Sequence, residues 1–403
     1  MEPACITRFR EYLQVNTMQP TPDYAACEKY LRKQAEDIGL EFKALELAPG
    51  KPTIVMIWRG TDPSLKSLVL NSHTDVVPVF EEFWDYPPFS AERVPTDDGD
   101  FRIYARGSQD MKIVGSCYLE AIRILKAQGK KPLRNVYLTF VPDEEIGGVD
   151  GMQKFLPTPD FKEMNAGFAL DEGIANPGPE LYAFYGERST NSVYFVCRGN
   201  TGHGSQFITE TASAKVLAIS QELMAFRDDE EQKLIKAYGE VNQSNLGTVT
   251  TVNLNIIQGG VQINVVPDSF KVEFDIRVAP DTDLTEFNKW LQSIADKNNS
   301  ELHYHHHEII ASGVSDIGPS NRFFKTMCDV IEKKGLKTIN AIFPAATDSR
   351  YLRRAGIPAI GISPLRNIPV LLHVHNEYVN ESLFMEGVDL YTDLIEELSN
   401  LKD

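Results

Sequence analysis

The stretch LVLNSHTDVVP, Leu68–Pro78, sets the class of fold. Leu68, Val69 and Leu70 are consecutive apolar residues without alternation, as in a strand covered on both faces by helices. The run ends on His73 and Asp75, two residues apart, and side chains two apart on a strand share a face. An imidazole and a carboxylate are thus delivered together at the end of a buried strand. They read as a metal ligand with its orienting carboxylate, or as the start of a polar loop.

Other segments repeat the pattern. YLTFVPDEEIGG (137–148) runs into Asp143, Glu144 and Glu145, and AGFALDEG (166–173) into Asp171 and Glu172. In ARGSQDMK (105–112), Asp110 precedes a helix and reads either as part of the same group or as its N-cap. In open α/β sheets ligands bind beyond the carboxyl ends of the strands, so these groups are expected in one crevice. Carboxylates gathered there repel one another unless cations compensate them. With histidines among them, zinc or a similar divalent ion is the expected guest. His373 in GISPLRNIPVLLHVHNE follows a further apolar run, and His375 shares its face by the same alternation. Spacing does not separate the two.

The surroundings fit a soluble enzyme of more than one domain. The chain has 403 residues, 42% of them apolar and 24% charged, beyond one comfortable core. No apolar window approaches the roughly 18 residues of a membrane span, and MEPACITRFREYLQ lacks the basic and apolar regions of a signal peptide. A formal net charge of −17 disfavours nucleic acid and anionic membrane surfaces as partners. Cys5, Cys27, Cys117, Cys197 and Cys328 are scattered, which fits a reducing cytoplasm better than a disulfide framework.

Helical and strand patterns alternate up to about residue 187. Helices are expected at CITRFREYL, ACEKYLRKQAEDIGL and MKIVGSCYLEAIRILKAQG, and strands at the runs above. The character then changes. In SFKVEFDIRV (269–278), Val272, Phe274 and Ile276 share one face while Lys271, Glu273, Asp275 and Arg277 share the other, as in a half-exposed antiparallel sheet. The fold class is therefore α/β: a domain of 1–187 and 311–403, with a mixed, largely parallel sheet flanked by helices, interrupted by an α+β insertion at 188–310. The histidine-dense ELHYHHHEII (301–310) falls in the insertion and reads as a solvated strand face, not a metal site.

HTDVVP, ARGSQDMK, FVPDEEIGG, FALDEGIANP, TGHGS, FDIRVAP, PAATDSRY and LLHVHNE occur in an order that resembles the M20 family of metallopeptidases, and in particular its aminoacylase branch. The resemblance runs over nearly the whole chain. It implies two zinc ions per subunit, one held by His73, Glu172 and a bridging Asp110, the other by Asp110, Glu145 and His373. It makes Asp75 the orienter of His73 and Glu144 the general base; alternation along an extended segment would point Glu144 and Glu145 apart. It implies that the insertion is a lid and dimerisation domain, and that the enzyme is a homodimer in which His203 of TGHGS acts in trans on the oxyanion. Arg277 and Arg350 match positions associated with the substrate carboxylate, with Asn264 and Thr347 expected as their hydrogen-bonding neighbours. HVHNE departs from the branch pattern, which is more acidic after the ligand histidine.

The expected activity is zinc-dependent hydrolysis of N-acyl-L-amino acids, a metal-bridging water losing its proton to Glu144. A dipeptidase or carboxypeptidase of the same family is the alternative. A silent dimeric metal-binding protein is disfavoured by the presence of the base and all five ligands, and a dinucleotide-binding reading by the lack of G-x-G-x-x-G after any strand.

Overall fold

A computed structural model describes residues 2–402. The chain divides into two compact units. The first comprises residues 1–185, 315–340 and 347–403; the second comprises 186–314 and 341–346.

The first unit is built on a mixed eight-stranded sheet. Its order is Glu41–Ala48, Lys51–Trp58, Val136–Val141, Ser67–His73, Ala166–Asp171, Ala359–Ile362, Leu181–Glu187 and Thr338–Phe343; the chain passes into the second unit along the last two. The strands from Val136–Val141 to Ala359–Ile362 are mutually parallel, and antiparallel pairs flank them. Every residue of Ser67–His73 is buried, as its unbroken apolar run requires. Burial of a side chain such as Leu68 or Leu70 contributes about 1.5–3 kcal/mol.

The helix Lys112–Ala127 is covered on nearly all sides. It sits close to the central strand because Gly115 has no side chain: a Cβ there would lie 2.8 Å from Ser72 Oγ and 2.9 Å from the Phe140 ring. Helices Ala4–Leu13 and Glu381–Ser399 close this layer through stacked Phe9 and Phe384 rings 4.5 Å apart.

The second unit is a four-stranded antiparallel sheet in the order Thr251–Gly259, Ser269–Val278, Ser189–Arg198, Glu301–His307. Val272, Phe274 and Ile276 are buried and their alternate neighbours half-buried, because one face packs on helices Ala212–Tyr238 and Leu284–Lys297. Among the described residues no helix is long and apolar enough to cross a membrane.

Candidate metal centre

Three neighbouring parallel strands end together. His73 is in register with Val141, and Leu70 with Leu170, so the residues that follow Val141 and Asp171 emerge at the level of His73. Backbone parallelism is thus what gathers His73, Glu144, Glu145 and Glu172. Asp110 arrives from the loop before helix Lys112–Ala127. That helix begins at Lys112 without a side-chain cap, so Asp110 is not an N-cap; its peptide bond to Met111 is cis.

Asp110 divides its oxygens between two groups. Oδ1 lies 3.1 Å from His73 Nε2, which is also 3.3 Å from Glu172 Oε2. Oδ2 lies 3.2 Å from His373 Nε2, which is also 3.3 Å from Glu145 Oε2. These separations match the edge, about 3.3 Å, of a tetrahedron with bonds of about 2.0–2.1 Å. Side-chain groupings compact enough to share an ion are His73, Glu144 and Glu172, and His73, Asp110 and Glu145. Glu145 Oε1 is sealed from solvent and has no hydrogen-bond partner. A buried acceptor left unsatisfied beside imidazole and carboxylate donors fits a divalent cation.

The electrostatics agree. Burial, then the charge of Glu172, push Glu144 well above the usual carboxylate range. Burial and then Asp110 lift Glu145 to about 7. Burial opposes ionisation of Asp110, but hydrogen bonds to His373 and His73 override it and hold the group low. For His73 burial disfavours protonation, yet Glu172 and Asp110 push it up. His373 rises to about 10 through its bonds to Asp110 and Glu145. Ligation would require these groups to be deprotonated, so binding of a metal ion would displace protons.

Several sequence expectations need adjusting. The group that fixes His73 is the main-chain carbonyl of Asp75, which accepts from Nδ1 at 2.9 Å; the Asp75 carboxylate is 3.7 Å away. That carboxylate instead accepts from the backbone N–H groups of Glu144 and Glu145, at 3.1 and 3.2 Å, and from Gln19 Nε2 at 2.9 Å. Glu144 and Glu145 are not on an extended segment but on a 3-10 turn, Glu144–Ile146, entered through a left-handed Asp143. Turn geometry, not strand alternation, separates their side chains. Residues 371–375 are not a strand either. His373 has a left-handed backbone (φ 61°), which parts it from His375, whose ring packs 5.0 Å from that of Phe83.

The remaining predicted residues are placed as follows. Thr347 and Arg350 are buried in the first unit; Arg350 Nη2 donates to the Gly147 carbonyl at 2.9 Å, as does the Tyr351 hydroxyl at 2.6 Å, bracing the turn behind Glu145. The other three lie in the second unit. His203 is exposed, paired with Val265 in a short two-stranded antiparallel ladder, its Nδ1 2.8 Å from Ser205 Oγ. Asn264 is next to it, accepting from Gly204 N at 2.8 Å. Arg277 pairs with Asp275 at 3.1 Å and donates to Thr190 Oγ1 at 3.1 Å. Of the histidines at 303–307, His303 and His305 face Glu301 and Glu273 singly, and none belongs to a metal-sized grouping among the described residues.

Two residues escaped the sequence reading. Glu377 is wholly buried and accepts from Arg106 Nη1 (2.7 Å) and from the backbone N–H groups of Gly107 (3.2 Å), Gln109 (2.5 Å) and Asp110 (3.3 Å). It shapes the loop that presents Asp110. Asp348 is equally buried, and neither of its oxygens has a hydrogen-bond partner; burial and then Asp171 push it well above the usual range. Their positions inside LLHVHNE and PAATDSRY were the available signals.

Comparison with known proteins agrees with this geometry. Residues 69–397 match the sequence model of peptidase family M20/M25/M40. The chain is 44% identical to mouse aminoacylase-1 over 400 residues, covering 98% of this chain and 95% of that one. It is 36% identical to aminoacylase-1 of Dictyostelium discoideum over 406 residues, 98% of each. Among solved structures it resembles an M20 family metallo-carboxypeptidase from Sulfolobus solfataricus, with TM-score 0.77 at 19% identity over 99% of this chain and 100% of that one. It also resembles a dinuclear metal-binding M20 peptidase from Bacillus subtilis, with TM-score 0.69 at 14% identity over 99% and 98%. At such identities the last two speak for the fold alone.

Proposed function

Since the chain belongs to peptidase family M20/M25/M40, we propose that it is a metal-dependent aminoacylase, hydrolysing N-acyl-L-amino acids to a carboxylate and a free L-amino acid. The observation that carries the reading is the Asp110 carboxylate divided between His73 with Glu172 and His373 with Glu145, in a chain similar to aminoacylases over nearly its full length.

His73, Asp110 and Glu172 would hold one ion, and Asp110, Glu145 and His373 a second, zinc in this reading. When bound, such a pair supplies Lewis acidity to the scissile carbonyl and to the attacking water. Glu144 takes the proton from that water as its oxygen adds to the carbonyl carbon, then returns it to the leaving nitrogen as the C–N bond breaks. The Asp75 carboxylate, accepting from the N–H groups of Glu144 and Glu145, keeps the base and its neighbour in place. Arg277, Asn264, Thr347 and Arg350 would receive the α-carboxylate of the substrate, with the guanidinium charge of the arginines opposing it.

The second unit would serve as lid and dimerisation domain, with His203 stabilising the oxyanion in the partner's site. Support comes from the wholly exposed Phe207, Val261 and Ile263 around His203 and Asn264, an apolar surface suited to a second copy. Five free cysteines support a cytoplasmic setting.

The test is amine release from N-acetyl-L-methionine, with an unblocked methionine dipeptide in parallel. Turnover of the acetylated compound alone is expected, and a Glu144→Gln variant should retain bound metal while losing it. Preference for the dipeptide would overturn the aminoacylase assignment; an active Glu144→Gln would overturn the role of the base.

A further inference from the structure

The second unit contains a cavity of about 290 Å³ between helix Ala212–Tyr238, the segment 241–250 and the edge strand Thr251–Gly259, lined by Arg188, Arg227, Glu231, Leu234, Val241 and Leu246 among others. We propose that this cavity binds a small monocarboxylate with a short apolar tail, the carboxylate on the Arg188 guanidinium and the tail against Leu234, Val241 and Leu246.

Arg188 is the reason. It is 5% exposed, yet no carboxylate of the described residues stands within ion-pairing distance of it. Its hydrogen bonds go to neutral oxygens: Nε to the Pro344 carbonyl (2.8 Å), and Nη1 to Thr251 Oγ1 (2.9 Å) and the Val249 carbonyl (3.4 Å). Nη2 donates to no protein acceptor and is not among the atoms sealed from solvent. The contrast with Arg106 is informative, since that equally buried guanidinium is neutralised by Glu377 at 2.7 Å. A buried cation without a counter-charge is costly. Burial, then the charge of Arg277, pull Arg188 down to about 10, against the smaller opposing effect of the Asp275 charge.

The rest of the lining selects the ligand. Arg227 already has Asp228 at 3.2 Å and Glu231 at 3.9 Å, so Arg188 is the one lining cation with no carboxylate in contact, which suits a monoanion better than a phosphate ester. The planar fork of a guanidinium matches the two oxygens of a carboxylate. Leu234, Val241, Leu246 and Val249 supply apolar wall, beside the polar Glu231, Thr250, Thr251 and Asn253. The volume is at the lower end for ligand cavities, about 300–1,000 Å³, and admits a chain of a few carbons. The site lies wholly within the second unit, and the proposal does not depend on the reaction assigned above.

Sodium butyrate titrated into the full-length, metal-loaded protein by calorimetry tests it, with n-butylamine, a cation at neutral pH, as the oppositely charged control of equal chain length. Saturable butyrate binding is expected, at least tenfold weaker in Val241→Trp and in Asn253→Trp, which fill the mouth from two exposed positions; butylamine should not bind. Butyrate held at the metal centre would survive both substitutions unchanged, and that result overturns the proposal. So does absence of saturable binding in the unaltered protein, or equal binding of butylamine. If one variant fails to fold, judged by thermal unfolding, the other decides.

Discussion

Glu377 and Arg106 form an ion pair sealed from solvent: Oε2 accepts from Nη1 at 2.7 Å, with Glu377 wholly buried and Arg106 2% exposed. The same carboxylate collects the backbone N–H groups of residues 107, 109 and 110, so the pair is the scaffold of the loop that offers Asp110. In Glu377→Gln the Arg106 charge loses its partner, a change that costs about 3–5 kcal/mol. Metal affinity should fall ten- to a hundredfold, the usual effect of removing support behind a ligand. Zinc titration against a chelator, alongside a melting curve, checks both; full affinity in the variant would remove Glu377 from the site.

His373 and His375 should separate cleanly. His373→Ala removes the imidazole that lies 3.3 Å from Glu145 Oε2 and 3.2 Å from Asp110 Oδ2 and should lower the bound metal from two ions per chain to one. His375→Ala should leave the count unchanged, because that ring packs on Phe83. Metal analysis of the dialysed proteins settles it, and an equal loss in both variants would contradict the turn geometry.

Ion uptake should release protons. In the ion-free protein Glu145 titrates at about 7 and His373 at about 10; both must be deprotonated to ligate. Their protonated forms dominate below those values, so raising the pH removes the competing protons. Apparent affinity therefore climbs from pH 6 to pH 8. Calorimetry in two buffers of different ionisation enthalpy should show about one proton or more released as the site fills. A count of zero is the contrary result.

Lys112 offers a pH effect on stability. Burial pulls it from 10.5 down to about 8, although it donates to the Val15 carbonyl at 2.6 Å. Below pH 8 both folded and unfolded chains carry the proton, and the folded state bears the full cost of the buried charge. Between pH 8 and 10.5 the unfolded chain binds more protons, so unfolding free energy rises with pH. The contribution is about 3 kcal/mol at 1.36 kcal/mol per pH unit. Other groups titrate in the same range, so the quantity to measure is the difference between the unaltered protein and Lys112→Met by denaturant unfolding. It should move in favour of the unaltered protein by about that amount across the window; a flat difference would falsify the assignment.

The sequence was most legible where a side chain's place follows from the strand that carries it. Leu68–Leu70 read as a doubly covered strand, and His73, Glu172 and the acids after Val141 followed as strand-end residues because parallel neighbours finish at one level. The face assignment of Val272, Phe274 and Ile276 rests on the same kind of regularity. Legibility fell where a turn takes over. The left-handed Asp143 and His373 each redirect the chain by a dihedral that no apolar pattern records, so alternation gave the wrong reason for parting Glu144 from Glu145 and no means of choosing between His373 and His375. Asp75 was legible as a partner of His73, but which of its oxygens does the work depends on backbone geometry. Glu377 and Asp348 were hidden for another reason: a buried acid among polar loop residues looks like surface until the long-range partner, such as Arg106 some 270 positions away, is in view.

The two histidines that share Asp110 differ in their access to water. His73 closes a buried strand and its side chain is 1% exposed, whereas His373 rides a surface turn with a side chain 55% exposed. An ion held on the inner side would be walled in by the buried strand, while one held on the outer side would be reached from the surface turn. The two halves of one centre should therefore keep different clocks, the inner ion a permanent resident and the outer one a visitor whose turnover follows the supply in its surroundings.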